Sequence, residues 1–207
     1  MLLPFAPFLY LQGQYIRRKI GPLPDASGET KGKSGTAETS AKLLIIGEST
    51  AAGVGARTHE TGLSGHFSRF LSAKIDKSVE WQVIGRSGIT VGETIEELVP
   101  KIPDEKFDYI LVALCGNEVL KLRSPQTFRR NMKKLLEILE AKNEGATFFI
   151  TNAPAVRLSP VLPFPIKQIL GHLSAMHDKN AQEFTAEIPR VFYFNQPNHV
   201  PADFFAD

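Results

Sequence analysis

The apolar residues of this chain are concentrated in short continuous runs that are bounded by glycine, proline or polar residues. An unbroken apolar run of four to eight residues is typical of a strand in a parallel sheet that is covered on both faces. We predict five such strands, over residues 42–46, 81–85, 108–114, 146–151 and 190–194.

Between the predicted strands, apolar residues recur at helical spacing. We predict helices that begin near Leu63, Gly92 and Ser124, and a further helix over residues 166–187. Ser124 suits an N-cap, and Pro125 suits the first position of the helix that follows. Strands and helices that alternate in this way predict a flavodoxin-like three-layer α/β/α fold with a five-stranded parallel sheet.

Composition divides the chain into three parts. Residues 1–20 form an N-terminal arm that is first apolar and then basic. Residues 21–40 are rich in Gly, Pro, Ser, Thr, Lys and Glu, which bury too little apolar surface to offset their ordering entropy, so we predict a linker. Residues 41–207 form the predicted α/β domain.

The apolar part of the arm, residues 1–11, is shorter than the roughly 20 residues that span a bilayer. It also lacks the preceding basic residues and the cleavage site of a signal peptide, so we expect a cytoplasmic protein. Two interpretations of the arm stay open. Pro4 and Pro7 disrupt an amphipathic helix and favour an arm packed on the domain. The alternative is peripheral membrane contact through residues 1–19, which end in three basic residues.

Charge and cysteine content exclude several classes of protein. A net charge of +2 over 207 residues gives no reason to expect a polyanionic partner, so we predict no nucleic-acid binding. Cys115 is the single cysteine, which excludes an intrachain disulfide and a cysteine metal cluster. The five histidines show no His-x-x-x-His spacing, so we predict no metal and no cofactor.

Three polar or small residues stand in turns that follow predicted strands: Ser49, Gly88 and Asn117. The turns after the strands of such a sheet open on one edge, where ligands usually bind. A serine nucleophile, a main-chain N–H and a carboxamide are the groups that acyl transfer needs. The structural alternative is that Ser49 caps a helix and that the other two residues only form turns.

On these residues the sequence resembles the SGNH hydrolases, also called GDSL esterases and lipases. Residues 47–50, Gly-Glu-Ser-Thr, resemble the first block of that family, usually Gly-Asp-Ser, in which the serine is the nucleophile. Gly88 stands where the second block has its oxyanion-hole glycine, and Asn117 where the third block, Gly-x-Asn-Asp, has its oxyanion asparagine. The resemblance covers residues 42–207.

The sequence departs from the family pattern at three positions in these blocks. Glu48 replaces the usual aspartate of the first block, and Glu118 replaces the last aspartate of the third. Cys115 stands at the position of the third block's glycine, unless the register slips by one residue onto Gly116. Both carboxylates are kept but are one methylene longer, so we expect rearranged hydrogen bonds at the helix start. The pattern Gly-x-Ser-x-Gly is absent around Ser49, which argues against an ordinary α/β-hydrolase nucleophile elbow.

The family's last block is Asp-x-x-His, with the histidine as general base. Asp207 matches the aspartate of this block, and the sequence in hand ends there. We expect this 207-residue chain to be nearly inactive, and a longer chain that carries the histidine to hydrolyse esters. His199 is the best substitute within the chain, although its surroundings are more typical of an ordinary loop.

The resemblance implies a serine ester hydrolase that acts through an acyl-enzyme on Ser49, with a small-molecule or lipid-like acyl ester as substrate. Apolar residues of the loop 161–166 either line an acyl pocket or pack beneath the loop. The alternative function is a non-catalytic, flavodoxin-like module that binds a phosphate or nucleotide, or an inactive homologue. Glu48 argues against an anion at this turn, because its charge would repel it.

Overall fold

The computed structural model describes residues 21, 23–160 and 162–195. Its centre is a six-stranded sheet in the order β1-β3-β2-β4-β5-β6. Neighbouring strands are parallel except for β1, which pairs antiparallel with β3. The strands are β1 Lys31–Ser34, β2 Ser40–Gly47, β3 Ser78–Gly85, β4 Tyr109–Ala113, β5 Thr147–Ile150 and β6 Val191–Tyr193.

The prediction of five strands was wrong by one, because β1 comes from the stretch 21–40 that composition marks as a linker. This strand is polar and is held by its backbone pairing to β3 more than by apolar side chains. Gly32 lies flat against Trp81, where an added Cβ would come within 2.3 Å of the indole ring. The Ser34 hydroxyl is buried and lies 2.8 Å from the hydroxyl of Ser68. Such a strand carries no hydrophobic signal.

The helices lie on both faces of the sheet and give the three-layer α/β/α arrangement that the sequence predicts. Helix α1 packs on one face, and the other four pack on the opposite face. The predicted helices are all present, and α3 is an additional short helix in a segment predicted as a turn. The helices are α1 Leu63–Ile75, α2 Val91–Glu97, α3 Gly116–Leu120, α4 Pro125–Lys142 and α5 Ile166–Thr185.

The strand side chains alternate between two apolar cores. On β2, Leu44 and Ile46 face the core shared with α2 to α5, whereas Leu43 and Ile45 face the core shared with α1. All four are fully buried, as expected for a central strand that is covered on both faces. The sheet is therefore a rigid support for the turns at its carboxyl edge.

The N-terminal arm, residues 1–20, lies outside the described residues, as do Asp207 and His199. Among the helices that the structure describes, none combines the length and apolar character needed to cross a membrane.

Candidate active site

The turn after β2 brings Ser49 to the carboxyl edge of the sheet. It is a tight turn in which the Ala52 N–H donates to the Glu48 carbonyl at 2.9 Å and the Val54 N–H donates to the Ser49 carbonyl at 3.0 Å. The next helix begins only at Leu63, so Ser49 does not cap it. Ser49 is half-buried, and within the described part of the chain its hydroxyl has no hydrogen-bond partner.

The turns after β2, β3 and β4 are hydrogen-bonded to one another. The Asn117 side-chain N–H₂ donates to the Ile89 carbonyl, next to Gly88, at 3.1 Å. The same nitrogen donates to the carboxylate of Glu48, next to Ser49. The structure thus brings together the three turns on which the sequence prediction depends.

A cavity of about 380 Å³ opens beside Ser49. Asn117 lines it with Ser49, whereas Gly88 is exposed and is not among its lining residues. The wall is completed by residues from the turn after β2, from the start of α1, from α3 and from the segment after β5: Glu48, Thr50, Leu63, Gly116, Leu120, Thr151, Asn152 and Pro154.

Sequence reasoning did not single out Thr151 and Asn152 as parts of the site. They follow β5 at the same edge of the sheet as Ser49, and this position was the available signal. The segment after them is anchored from below: the Tyr193 hydroxyl donates to Asp178 at 2.6 Å and accepts from the Ala153 N–H at 2.9 Å.

Glu48 joins the turn after β2 to the start of α3. Its buried carboxylate accepts the backbone N–H groups of Cys115 at 3.2 Å, Gly116 at 2.6 Å and Asn117 at 2.8 Å. Burial raises the pKa of Glu48, and these hydrogen bonds oppose that shift. These are the hydrogen bonds at the start of α3 that we expected to be rearranged. In this chain the glutamate, one methylene longer than the usual aspartate, accepts them.

The backbone at Cys115 explains why the family pattern has glycine there. Its φ of 152° lies in a region that L-residues rarely adopt, so a side chain at this position is strained. A side chain on the next residue, Gly116, would displace the Glu48 carboxylate, because a Cβ there would lie 2.8 Å from one of its oxygens.

Glu118, which stands in place of the last aspartate of the third block, is buried. Its carboxylate accepts the Val91 N–H at 2.8 Å at the start of α2. Thr90 caps that helix in a capping box with Glu93. Helix α3 is therefore tied to the turn after β3 as well as to the turn after β2.

The described histidines do not lie at this cavity. His59 and His177 are buried, and burial lowers the pKa of each. His66 and His172 are exposed, and none of the four lines the cavity that holds Ser49. Within the described ranges no cluster of three or more His, Cys, Asp or Glu side chains could hold a metal ion.

Comparisons with known proteins bear on the family and the fold of this chain. A family model described as the GDSL-like lipase/acylhydrolase family matches residues 45–203. A search of curated protein sequences found no match.

Solved structures with a similar fold include a lipase, Lip_vut3, from a goat rumen metagenome, with 17% identity, a TM-score of 0.61 and coverage of 75% of this chain and 80% of that one. Phospholipase A1 from Streptomyces albidoflavus NA297 has 13% identity and a TM-score of 0.54, with coverage of 74% and 78%. The psychrotrophic esterase EstA from Pseudoalteromonas sp. has 14% identity and a TM-score of 0.51, with coverage of 74% and 77%.

Proposed function

The chain belongs to the GDSL-like lipase/acylhydrolase family, and we propose that it hydrolyses carboxylic esters through an acyl-enzyme on Ser49. The observation that carries the proposal is the placement of Ser49. Its hydroxyl has no partner among the described residues and shares a cavity with the Asn117 side chain, whose nitrogen is a hydrogen-bond donor.

In the proposed reaction, Ser49 Oγ attacks the ester carbonyl carbon and the carbonyl oxygen becomes an oxyanion. The backbone N–H groups of Ser49 and Gly88 and the Asn117 carboxamide donate to this oxyanion. A histidine takes the serine proton and returns it to the leaving alcohol, and water then releases the acid from Ser49. We propose that Asp207 orients this histidine.

The lining of the cavity supports an acyl ester as substrate. Leu63, Leu120 and Pro154 give it an apolar wall next to the polar side chains of Ser49 and Asn117. An apolar wall suits an acyl chain, and the polar side suits the ester group. The proposal therefore extends to small-molecule or lipid-like acyl esters.

The alternative, a module that binds a phosphate or nucleotide, has less support. An anion at this edge needs free main-chain N–H groups, and those of residues 115–117 already donate to Glu48. A buried carboxylate at the same place would repel the phosphate.

Covalent labelling separates these two functions. A fluorophosphonate probe is expected to add to Ser49, and Ser49→Ala is expected to remove both labelling and turnover of p-nitrophenyl acetate. Ser27→Ala is the control, because the Ser27 hydroxyl donates to the Arg57 carbonyl outside the cavity. Labelling that survives in Ser49→Ala, or stabilisation by nucleotide without any labelling, would refute the hydrolase.

The Asn117→Ala variant tests the oxyanion site. We expect kcat to fall by ~10²–10³ with KM less affected, which is the usual effect of losing one oxyanion donor. An unchanged kcat would remove Asn117 from the mechanism.

The general base is tested by comparing the 207-residue chain with one that carries a histidine three residues after Asp207. We expect the first to be slower by about 10⁴–10⁶, the usual effect of losing the base of a serine triad. Equal rates would place the base within residues 1–207, and loss of turnover in His199→Ala would then identify it.

A further inference from the structure

The carboxylate of Glu48 accepts four hydrogen bonds at the point where the candidate nucleophile and the candidate oxyanion donor meet. Three come from the backbone N–H groups of residues 115–117, and the fourth comes from Asn117 Nδ2. We propose that Glu48 is a positioning residue: it fixes the orientation of the Asn117 carboxamide, so that the N–H that now donates to Ile89 can be transferred to an oxyanion on Ser49. The inference rests on the proposed function and names a residue that controls it.

The surroundings permit only one orientation of the Asn117 carboxamide. Its nitrogen faces two acceptors, the Glu48 carboxylate and the Ile89 carbonyl. Turning the group around would place its oxygen against both of these acceptors, and neither hydrogen bond could then form.

The two N–H bonds of Asn117 Nδ2 differ in strength, and this difference shows how the group works. The bond to Glu48 is charge-assisted, which makes it about twice as strong as the bond to the neutral Ile89 carbonyl at 3.1 Å. A substrate oxyanion that replaces the Ile89 carbonyl exchanges a neutral acceptor for a charged one. Replacing Glu48 instead would leave a buried carboxylate short of a donor. The bond to Glu48 therefore persists while the bond to Ile89 is exchanged.

The isosteric change Glu48→Gln tests this arrangement because it keeps the shape and removes one acceptor. In the wild type, one carboxylate oxygen serves Cys115 and Gly116, and the other serves the backbone and side chain of Asn117. A glutamine oxygen can serve only one of these pairs, and its N–H₂ group faces the other. The backbone pair cannot turn, whereas the Asn117 carboxamide can present its oxygen to the new N–H₂ group.

The experiment is a double-mutant cycle on the rate at which a fluorophosphonate labels Ser49, together with kcat and KM for p-nitrophenyl acetate, in the chain that carries a histidine three residues after Asp207. We expect Glu48→Gln and Asn117→Ala each to slow labelling by ~10²–10³, with kcat lowered and KM little changed. The double variant is expected to be no slower than either single variant, because both changes remove the same donor. Glu48→Asp keeps a carboxylate and is expected to restore most of the rate.

The matched control is Glu118→Gln. Glu118 is also a buried carboxylate on α3, but its hydrogen bond goes to the Val91 N–H. We expect both Glu118→Gln and Glu48→Gln to lose thermal stability, whereas labelling of Ser49 in Glu118→Gln stays close to the wild-type rate.

Three results would overturn the inference: multiplicative effects in the double variant, equal slowing by Glu118→Gln, or no recovery in Glu48→Asp. Failure of the proposed function gives a different pattern, in which Ser49→Ala labels as fast as the wild type. A separate readout does not depend on activity. The side-chain N–H₂ resonances of Asn117 should shift in Glu48→Gln, and unchanged resonances would show that Glu48 does not hold this group.

Discussion

Asn143 ties the end of α4 to the segment that leads into β4, the strand whose far end is followed by the turn to Asn117. Its side-chain oxygen accepts the Phe107 N–H at 2.8 Å, and its side-chain nitrogen donates to the Leu139 carbonyl at 2.8 Å. Asn143 is 1% exposed, so water does not reach these groups. Asn143→Ala removes both bonds without changing the backbone of the helix end.

The loss of stability in Asn143→Ala depends on which hydrogen bonds remain for the Phe107 N–H and the Leu139 carbonyl. The Phe107 N–H loses its acceptor inside the protein, which costs about 1–3 kcal/mol. The Leu139 carbonyl keeps the Asn143 backbone N–H at 3.0 Å, so its loss adds little. We expect a decrease of about 2 kcal/mol in the free energy of unfolding, with little dependence on pH.

Asn143→Asp separates the acceptor from the donor. The new carboxylate still accepts the Phe107 N–H, but its second oxygen faces the Leu139 carbonyl in place of an N–H₂ group. Burial raises the pKa of such a carboxyl, so its folded-state contribution is favourable at low pH and is lost as pH rises through that pKa. We expect this variant to be less stable than Asn143→Ala at about pH 7 and to recover toward the wild type at about pH 4, where its O–H can donate to Leu139.

The measurement is urea unfolding followed by far-ultraviolet circular dichroism at several pH values, with the wild type at each pH as reference. Equal stability of Asn143→Asp and the wild type at about pH 7, or a loss below about 0.5 kcal/mol in Asn143→Ala, would refute the reasoning, since surface substitutions usually stay within that range.

Other predictions concern pH and substrate length. Burial lowers the pKa of His177 below its usual 6.5, so stability is lost as pH falls below that value, and His177→Leu should flatten this loss in acid unfolding curves. The hydrogen bond from the Thr90 N–H, together with the smaller effect of the Lys121 ammonium group, lowers the pKa of Glu93 to about 2. Its contribution is thus present above about pH 4.5 and lost toward pH 2, and Glu93→Gln should remove that part of the curve. Leu120→Ala should lower kcat/KM for p-nitrophenyl butyrate about two- to fourfold more than for the acetate, which corresponds to losing contact with up to one of the two additional CH₂ groups at about 0.8 kcal/mol each. The control is Leu122→Ala, because Leu122 is exposed and does not line the cavity; this variant should change kcat/KM for both esters by the same factor.

Hydrophobic pattern predicted the elements that bury apolar side chains and missed those that do not. The strands β2 to β6 and the helices α1, α2, α4 and α5 have apolar runs or stripes, and all were predicted. Strand β1 is polar and depends on backbone pairing with β3, for which the sequence has no local signal. Helix α3 has only five residues, and the carboxylate that accepts its first N–H groups belongs to Glu48, 67 to 69 positions earlier in the chain.

The candidate site shows the same division between local and long-range information. The positions of Ser49 and Asn117 followed from turns after strands and from the family resemblance, and both line one cavity. The four hydrogen bonds that the Glu48 carboxylate accepts could not be predicted from the sequence, because they depend on how far this side chain reaches from its own turn to the next. Sequence alone showed an unusual acid and could not show which donors it meets.

The level at which these turns meet is set by the register of the parallel strands. Gly47 at the end of β2 pairs with Gly85 of β3 on one side and with Ala113 of β4 on the other, so the three strands end at one height. Both glycines are required by close approach: a Cβ on Gly47 would lie 2.1 Å from the Ala113 carbonyl oxygen, and one on Gly85 would lie 2.7 Å from the Ala52 nitrogen. A one-residue slip in register would move every side chain of β2 into the opposite apolar core, where the packing does not match it, and would displace both glycines from these close contacts. The apolar core therefore fixes the register, the register places the three turns side by side, and the small residues at the strand ends let those turns come close enough to share hydrogen bonds.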